Sequence, residues 1–177
     1  MALKATIYKA NLEVADMGRH HYQNYPLTIA QHPSETARRT MVRLLAFALN
    51  ASDELQFTRG LCVDDEPELW LKSLSDEIEL WIELGLPDEK RLKKACRRAK
   101  KVILYAYGSA FSVWWPENKN KLGMLKNLEV HYLPEEASQA LGELLQRSMQ
   151  LQCSIDDGQV WMSTNENSAM IEPEQHQ

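Results

Sequence analysis

Residues 3 to 14, Leu-Lys-Ala-Thr-Ile-Tyr-Lys-Ala-Asn-Leu-Glu-Val, alternate in polarity with the period of two expected of a half-buried strand. The apolar phase shifts between Ile7 and Leu12, which predicts a bulge. A second strand over Gln23 to Ile29 completes an N-terminal hairpin. The period then changes. Ala37, Met41, Leu44, Leu45 and Ala48 recur at helical spacing behind His32-Pro33-Ser34-Glu35, which predicts a helix over residues 34–50 with Ser34 as its N-cap. Leu55 to Thr58 reads as a short strand, and Trp70 to Lys72 and Ile78 to Leu84 as two more, joined by the polar turn Leu74-Ser75-Asp76. Gly85-Leu86-Pro87-Asp88 stops the last of these and starts a helix whose narrow apolar stripe is Leu92, Ala95, Cys96 and Ala99.

Val102 to Tyr107 is almost continuously apolar, as a strand covered on both faces would be. With the helix before it, this makes a βαβ unit with an expected right-handed crossover. Residues 109–121 leave two readings open: Ala110, Phe111, Val113, Trp114 and Trp115 suit a helix face, but Pro116 breaks or restarts a helix there. Leu128 to Leu133 is a strand, and Pro134 to Arg147 a helix with Pro at its first position and acids in its first turn. Met149 to Ile155 and Val160 to Ser163 form a hairpin through Asp157-Gly158. The polar, acidic residues from Asn165 onward read as a loose tail.

These elements predict an α/β fold, with one domain over residues 1–164 and a flexible tail over 165–177. A chain of 177 residues can bury a continuous core, and 44% hydrophobic with 25% charged residues is ordinary globular usage. The first residues show no basic region followed by an apolar stretch, and no window approaches the roughly 18 apolar residues of a membrane span. Cys62, Cys96 and Cys153 stand far apart, as buried thiols of a reducing compartment would. The expectation is a cytoplasmic protein without a membrane partner, monomeric or weakly dimeric.

Charge changes this picture. The net charge of −5 averages an acidic stretch and a basic one. Residues 52–89 hold twelve acids against Arg59 and Lys72, whereas residues 90–101 hold eight Lys or Arg and no acid. Such a division suits metal binding and phosphate binding respectively, or simply solvates two faces. Glu83 is the most informative acid, because it ends a strand whose neighbours are apolar, and a lone buried carboxylate is costly unless paired or bound. With the hairpin turning about residue 75, Glu83 lies opposite Pro67 and Asp65 is its same-face diagonal neighbour. A slip of one residue exchanges Asp65 for Asp64, Glu66 or Glu68. Carboxylates packed this way repel each other, and Mg²⁺ relieves such repulsion while keeping water and substrate phosphate as further ligands. The competing reading is a salt bridge from Glu83 to the basic helix, and from Glu35 to Arg39 one turn along its own helix. The five histidines show no zinc spacing, and Gly-x-Ser-x-Gly, P-loop and dinucleotide fingerprints are absent. Trp114-Trp115 could stack on bases, but beside Phe111 and Val113 they are expected in the core.

His-Pro-Ser-Glu-Thr (32–36), Leu-Gln-Phe-Thr-Arg-Gly-Leu-Cys (55–62), Asp-Asp-Glu-Pro-Glu (64–68), Trp-Ile-Glu-Leu-Gly-Leu-Pro-Asp-Glu (81–89) and Leu-Lys-Lys-Ala (92–95) resemble signature stretches of the YaeQ family. The resemblance runs over nearly the whole chain and weakens in the tail. It implies a three-layer α/β/α architecture with a mixed central sheet, a variant restriction endonuclease-like PD-(D/E)XK core to which the N-terminal hairpin is added. In that superfamily, acids on the second and third core strands bind Mg²⁺, often with a glutamate from the first helix. The resemblance therefore implies metal ligands at Glu35, Asp65 (or Glu68) and Glu83, with Asp65 and Glu83 catalytic. The superfamily's lysine, two residues after the third-strand acid, is here Gly85. Lys93 is the favoured replacement, and Lys72 a poor one, being about 15 Å or more along the hairpin. Lys90, Lys93, Lys94 and Arg97 would face a nucleic-acid backbone.

The function expected from these residues is Mg²⁺- or Mn²⁺-dependent cleavage of DNA or RNA phosphodiesters. The alternative is a non-catalytic, nucleic-acid-associated or regulatory protein that keeps the nuclease fold, which Gly85 and the acidic net charge favour.

Overall fold

The computed structural model describes residues 4–59 and 65–177, so Cys62 and the alternative acid Asp64 lie outside the described residues. The chain divides into two compact units, residues 4–51 with 136–172 and residues 52–59, 65–135 and 173–177. Each carries its own mixed sheet, where the expectation was one central sheet.

In the first unit, β1 (Thr6–Asp16) and β2 (His21–Gln31) form the expected hairpin. Its register runs without a shift from Thr6↔Gln31 to Asp16↔His21, so the predicted bulge is absent. Ala10, Leu12, Val14 and Asp16 point into the core on one phase, and Ile7 simply remains on the open face, 46% exposed. The hairpin is not an appendage. Strand β8 (Ser148–Asp156) pairs with β1 in parallel, and β9 (Gln159–Ser163) and β10 (Ser168–Ile171) extend the sheet to the order β10-β9-β8-β1-β2. An isolated hairpin is marginal in water, and a five-stranded sheet with one apolar face is not. Pro26 sits on the edge strand β2, where its missing N–H costs least. Asp157 and Gly158 both take positive φ, 47° and 78°, as the β8–β9 turn requires.

Helix α1 (Ala37–Leu49) is capped by Thr36, whose side chain accepts from Arg39 N, while Ser34 bonds to the His32 ring instead. The N-cap is thus two residues later than predicted. Thr40 to Ala48 are all buried, Arg43 among them, and Phe47 meets Tyr25 edge-on. Helix α4 (Glu135–Gly142) is shorter than the predicted 134–147. Its Gly142 lies so close to α1 that a Cβ would come within 2.9 Å of Arg38 Cα, and the chain turns away there toward β8.

In the second unit, β3 (Leu55–Phe57), β4 (Leu69–Lys72) and β5 (Ile78–Leu84) form an antiparallel meander. Helix α2 (Glu89–Arg98) then leads to β6 (Ala99–Tyr107), parallel to β5, and α3 (Phe111–Leu122) leads to β7 (Leu128–Leu133), parallel to β6. The ambiguous segment 109–121 is therefore helical. Pro116 lies inside α3, and Phe111 and Leu122 are its buried anchors. The residues expected as a flexible tail are structured: besides β10, β11 (Glu174–Gln175) pairs with β7. Gln177 Nε2 donates to Leu122 O at 2.8 Å, and the His176 ring meets Phe111 at 5.0 Å. The sheet order is β11-β7-β6-β5-β4-β3. Among the described residues there are four helices, none long and apolar enough to cross a membrane.

Candidate functional site

The second unit gathers its charged side chains where β4, β5 and α2 meet. The β4–β5 ladder runs Leu69↔Ile82, Trp70↔Trp81 and Leu71↔Leu80, then shifts by one residue between Leu71 and Lys72. That shift decides which acid stands beside Glu83. A register counted from the turn places Pro67 opposite Glu83; the observed one brings Glu68 alongside, with Glu68 N donating to Ile82 O at 3.0 Å. Glu68 and Glu83 are 3% and 2% exposed, two acids among the few buried polar side chains of the described chain.

Glu83 is held at both oxygens. Trp81 Nε1 donates to Oε1 at 2.7 Å and Arg91 Nε to Oε2 at 3.0 Å. Burial pushes the Glu83 carboxyl above its ordinary range; Arg91 and Trp81 oppose this, and the charge of Glu68 adds to it. Loss of water thus outweighs the two donors, and the charge of Glu68 is near enough to be felt at Glu83.

Helix α2 supplies the positive charges because Asp88 fixes its start, accepting from Arg91 N at 2.8 Å. Arg91, Lys94 and Arg98 recur at helical spacing on one stripe beside the apolar Leu92, Ala95 and Ala99. A terminal nitrogen of Arg91 donates to Glu66 O at 2.8 Å, and Arg98 donates to Asp65 O at 2.6 Å with its guanidinium over the Trp81 ring. Lys94 pairs with the Asp65 carboxylate. The stripe therefore clasps residues 65–68 from one side.

The expected site residues fall into three groups. Glu83 occupies the centre. Asp65 is at the rim, exposed, and Lys94 holds its carboxyl below the usual range; the buried companion of Glu83 is Glu68, the alternative named beside it. Glu35 belongs to the first unit, where Arg43 donates to both its oxygens at 2.9 and 3.0 Å and Thr40 Oγ1 donates at 3.0 Å. Glu35 precedes α1, so its ion-pair partner Arg43 is eight residues on, not one turn along the helix. Among the described residues, no three His, Cys, Asp or Glu side chains form a group able to hold a metal ion.

Lys93 pairs with Glu89, and Lys90, Lys93 and Arg97 are exposed on the side of α2 turned away from the apolar stripe. Lys72 pairs with Asp76 at 3.5 Å and lies over the Trp70 ring. The cation in contact with Glu83 is Arg91, which the sequence reading did not single out. Its signal was present: on a helix, residue 91 flanks the stripe of Leu92 and Ala95 on the Ala95 side, whereas residue 93 lies beyond Leu92, about 200° around the helix from residue 91. Gly85 has φ +86° and donates to Tyr105 O at 3.0 Å, a backbone conformation that a lysine would adopt only with strain. Trp114 and Trp115 are half-buried in the aromatic cluster of Phe111, Tyr132 and His176, as expected of core residues.

Residues 1–173 match the family model described as YaeQ protein. The YaeQ protein of Escherichia coli (strain K12) is 51% identical over 172 residues, covering 97% of this chain and 95% of its own. That of Salmonella typhi is 50% identical over 173 residues, covering 97% and 96%. The crystal structure of the YaeQ protein from Xanthomonas axonopodis pv. citri superposes with a TM-score of 0.95 at 46% identity, covering 98% of each chain. The Pseudomonas syringae structure superposes with a TM-score of 0.94 at 36% identity, covering 98% of this chain and 96% of its own. The names of these relatives state no activity, but the match spans the site as well as the fold, and the chain belongs to the YaeQ family.

Proposed function

We propose that this chain acts on nucleic-acid phosphodiesters with a divalent cation, Mg²⁺ or Mn²⁺, held by Glu68 and Glu83. The observation that carries this reading is the pair of buried acids, Glu83 on β5 and Glu68 just before the antiparallel β4, next to a helix with exposed basic residues. Along the chain, the order of α1, the β3–β4–β5 meander, α2 and β6 is the order that a PD-(D/E)XK core would have, which supports the restriction endonuclease-like assignment.

The donor set fits such an ion. Mg²⁺ takes one or two protein carboxylates and keeps water for the rest of its octahedron, so Glu68 and Glu83 suffice without a third acid. The cation, when bound, would polarise a phosphoryl oxygen and make its water more acidic. The chain's own residues do the rest. Trp81 Nε1–H orients the Glu83 carboxylate, and the exposed Lys90, Lys93 and Arg97 draw the phosphate backbone toward α2, while Lys94 stays on Asp65.

The second reading, a non-catalytic nucleic-acid-associated protein, is favoured by Gly85, whose positive φ disfavours the superfamily's lysine. Calorimetric titration with MnCl₂ separates the two. Heat in the wild type that is absent from Glu83→Ala, together with Mn²⁺-dependent cleavage of DNA or RNA, supports the first. Absence of both in the wild type rejects it.

A further inference from the structure

The charge that the superfamily's lysine would bring to this site has to come from a residue other than Gly85, and Arg91 already touches Glu83. We propose that Arg91 is an internal counter-cation that a divalent ion displaces from Glu83, and that the released guanidinium then binds the substrate phosphate. This rests on the reading of Glu68 and Glu83 as the cation site.

Three observations support the exchange. Arg91 Nε and a metal ion would use the same atom, Glu83 Oε2, and a carboxylate as deeply buried as Glu83 needs one positive charge or the other to stay ionised. The Arg91 side chain is 29% exposed while that of Glu83 is 3%, so the cation has a route to solvent and the acid has none. The backbone of Arg91 is pinned by the Asp88 cap, so the side chain can leave without unwinding α2. Leaving costs, among its contacts, those to Glu83 and to Glu66 O, and rebinding to a phosphate in bidentate geometry would work against that cost. Lys94 and Arg98, on the same stripe, would hold Asp65 and the 65–68 segment in place meanwhile.

The test is calorimetric titration of MnCl₂ into wild type, Arg91→Gln, Arg91→Lys and Glu83→Gln. Fluorescence anisotropy of a labelled single-stranded oligonucleotide, with and without Mn²⁺, runs in parallel. Arg91→Gln is expected to bind Mn²⁺ about tenfold more tightly than wild type and the oligonucleotide about tenfold more weakly in Mn²⁺. Glu83→Gln should lose Mn²⁺ binding. Equal or weaker Mn²⁺ binding in Arg91→Gln, with Glu83→Gln still defective, overturns this inference and leaves the cation site standing. No Mn²⁺ binding in any protein overturns both. If Arg91→Gln does not fold, Arg91→Lys decides: it keeps the charge but loses the fork, so tighter Mn²⁺ binding than wild type supports the exchange and equal or weaker binding overturns it.

Discussion

Glu35 and Glu83 each meet an arginine eight residues further along the chain, Arg43 and Arg91, through nearly the same atoms at nearly the same distances. The surroundings differ. Both partners of the first pair are sealed, 3% and 4% exposed, and Arg43 also donates to Ala30 O at 2.9 Å while Thr40 donates to Glu35. In the second pair the acid is equally buried, but the arginine reaches solvent, and a second buried acid, Glu68, stands beside it. A sealed pair with its donors and acceptors matched has little left to offer a ligand. An arginine open to water, on a buried acid that has a second acid near it, can be exchanged. The chemistry of a carboxylate–guanidinium contact is common to both; access and net charge set them apart.

Arg43→Met tests the sealed pair hardest. It strands a buried carboxylate and should cost about 3–5 kcal/mol in urea unfolding, with Glu35→Gln/Arg43→Met regaining a large part of the loss. Arg91→Met should cost less, about 1–3 kcal/mol, since water can reach the abandoned Glu83. If the two single variants were equally damaging, the contrast in access would have no energetic consequence. Trp81→Phe keeps the ring packing but removes the donor to Glu83 Oε1, for a loss of about 1–2 kcal/mol by thermal or urea unfolding.

Acidity sharpens the same contrast. The Glu83 carboxyl lies above its ordinary value of 4.5 in the folded chain, so the folded state holds that proton more tightly than the unfolded state. Its contribution to stability is full below the ordinary value and fades as pH rises through the raised one. The melting temperature of Glu83→Gln relative to wild type should therefore increase between about pH 4 and pH 7. Asp65 runs the other way. Held below its ordinary 3.8 by Lys94, its contribution is present above that value and is lost as pH falls, a small effect for an exposed pair. Smallest of all, Lys90→Ala and Arg97→Ala should change stability by no more than about 0.5 kcal/mol, while lowering oligonucleotide affinity at low salt.

Much of the local structure was legible in the chain. Alternation located β1 and β2, the Asp157-Gly158 turn located β8 and β9, and the Gly85–Asp88 stop-and-start signal located the beginning of α2. These rest on short-range rules of backbone conformation and polarity. The parallel pairing of β1 with β8 was not legible, because residues 9–16 and 148–155 are joined by no turn whose residue types announce it. Nor was the irregularity at Leu71/Lys72, which moves Glu68 into the place beside Glu83. A count from the turn is wrong by one residue past such a shift, and in a strand one residue is the other face.

The sequence by itself determined most of the elements, the family resemblance, and that an acid at Glu83 would need a positive charge to answer it, from a metal ion or from the basic helix. Tertiary structure decided which charge answers it. Arg91 carries the same charge as Lys93 and stands two residues earlier, but only its side of α2 turns toward the strands. Charge is a property of a residue type, whereas contact depends on the face that packing buries.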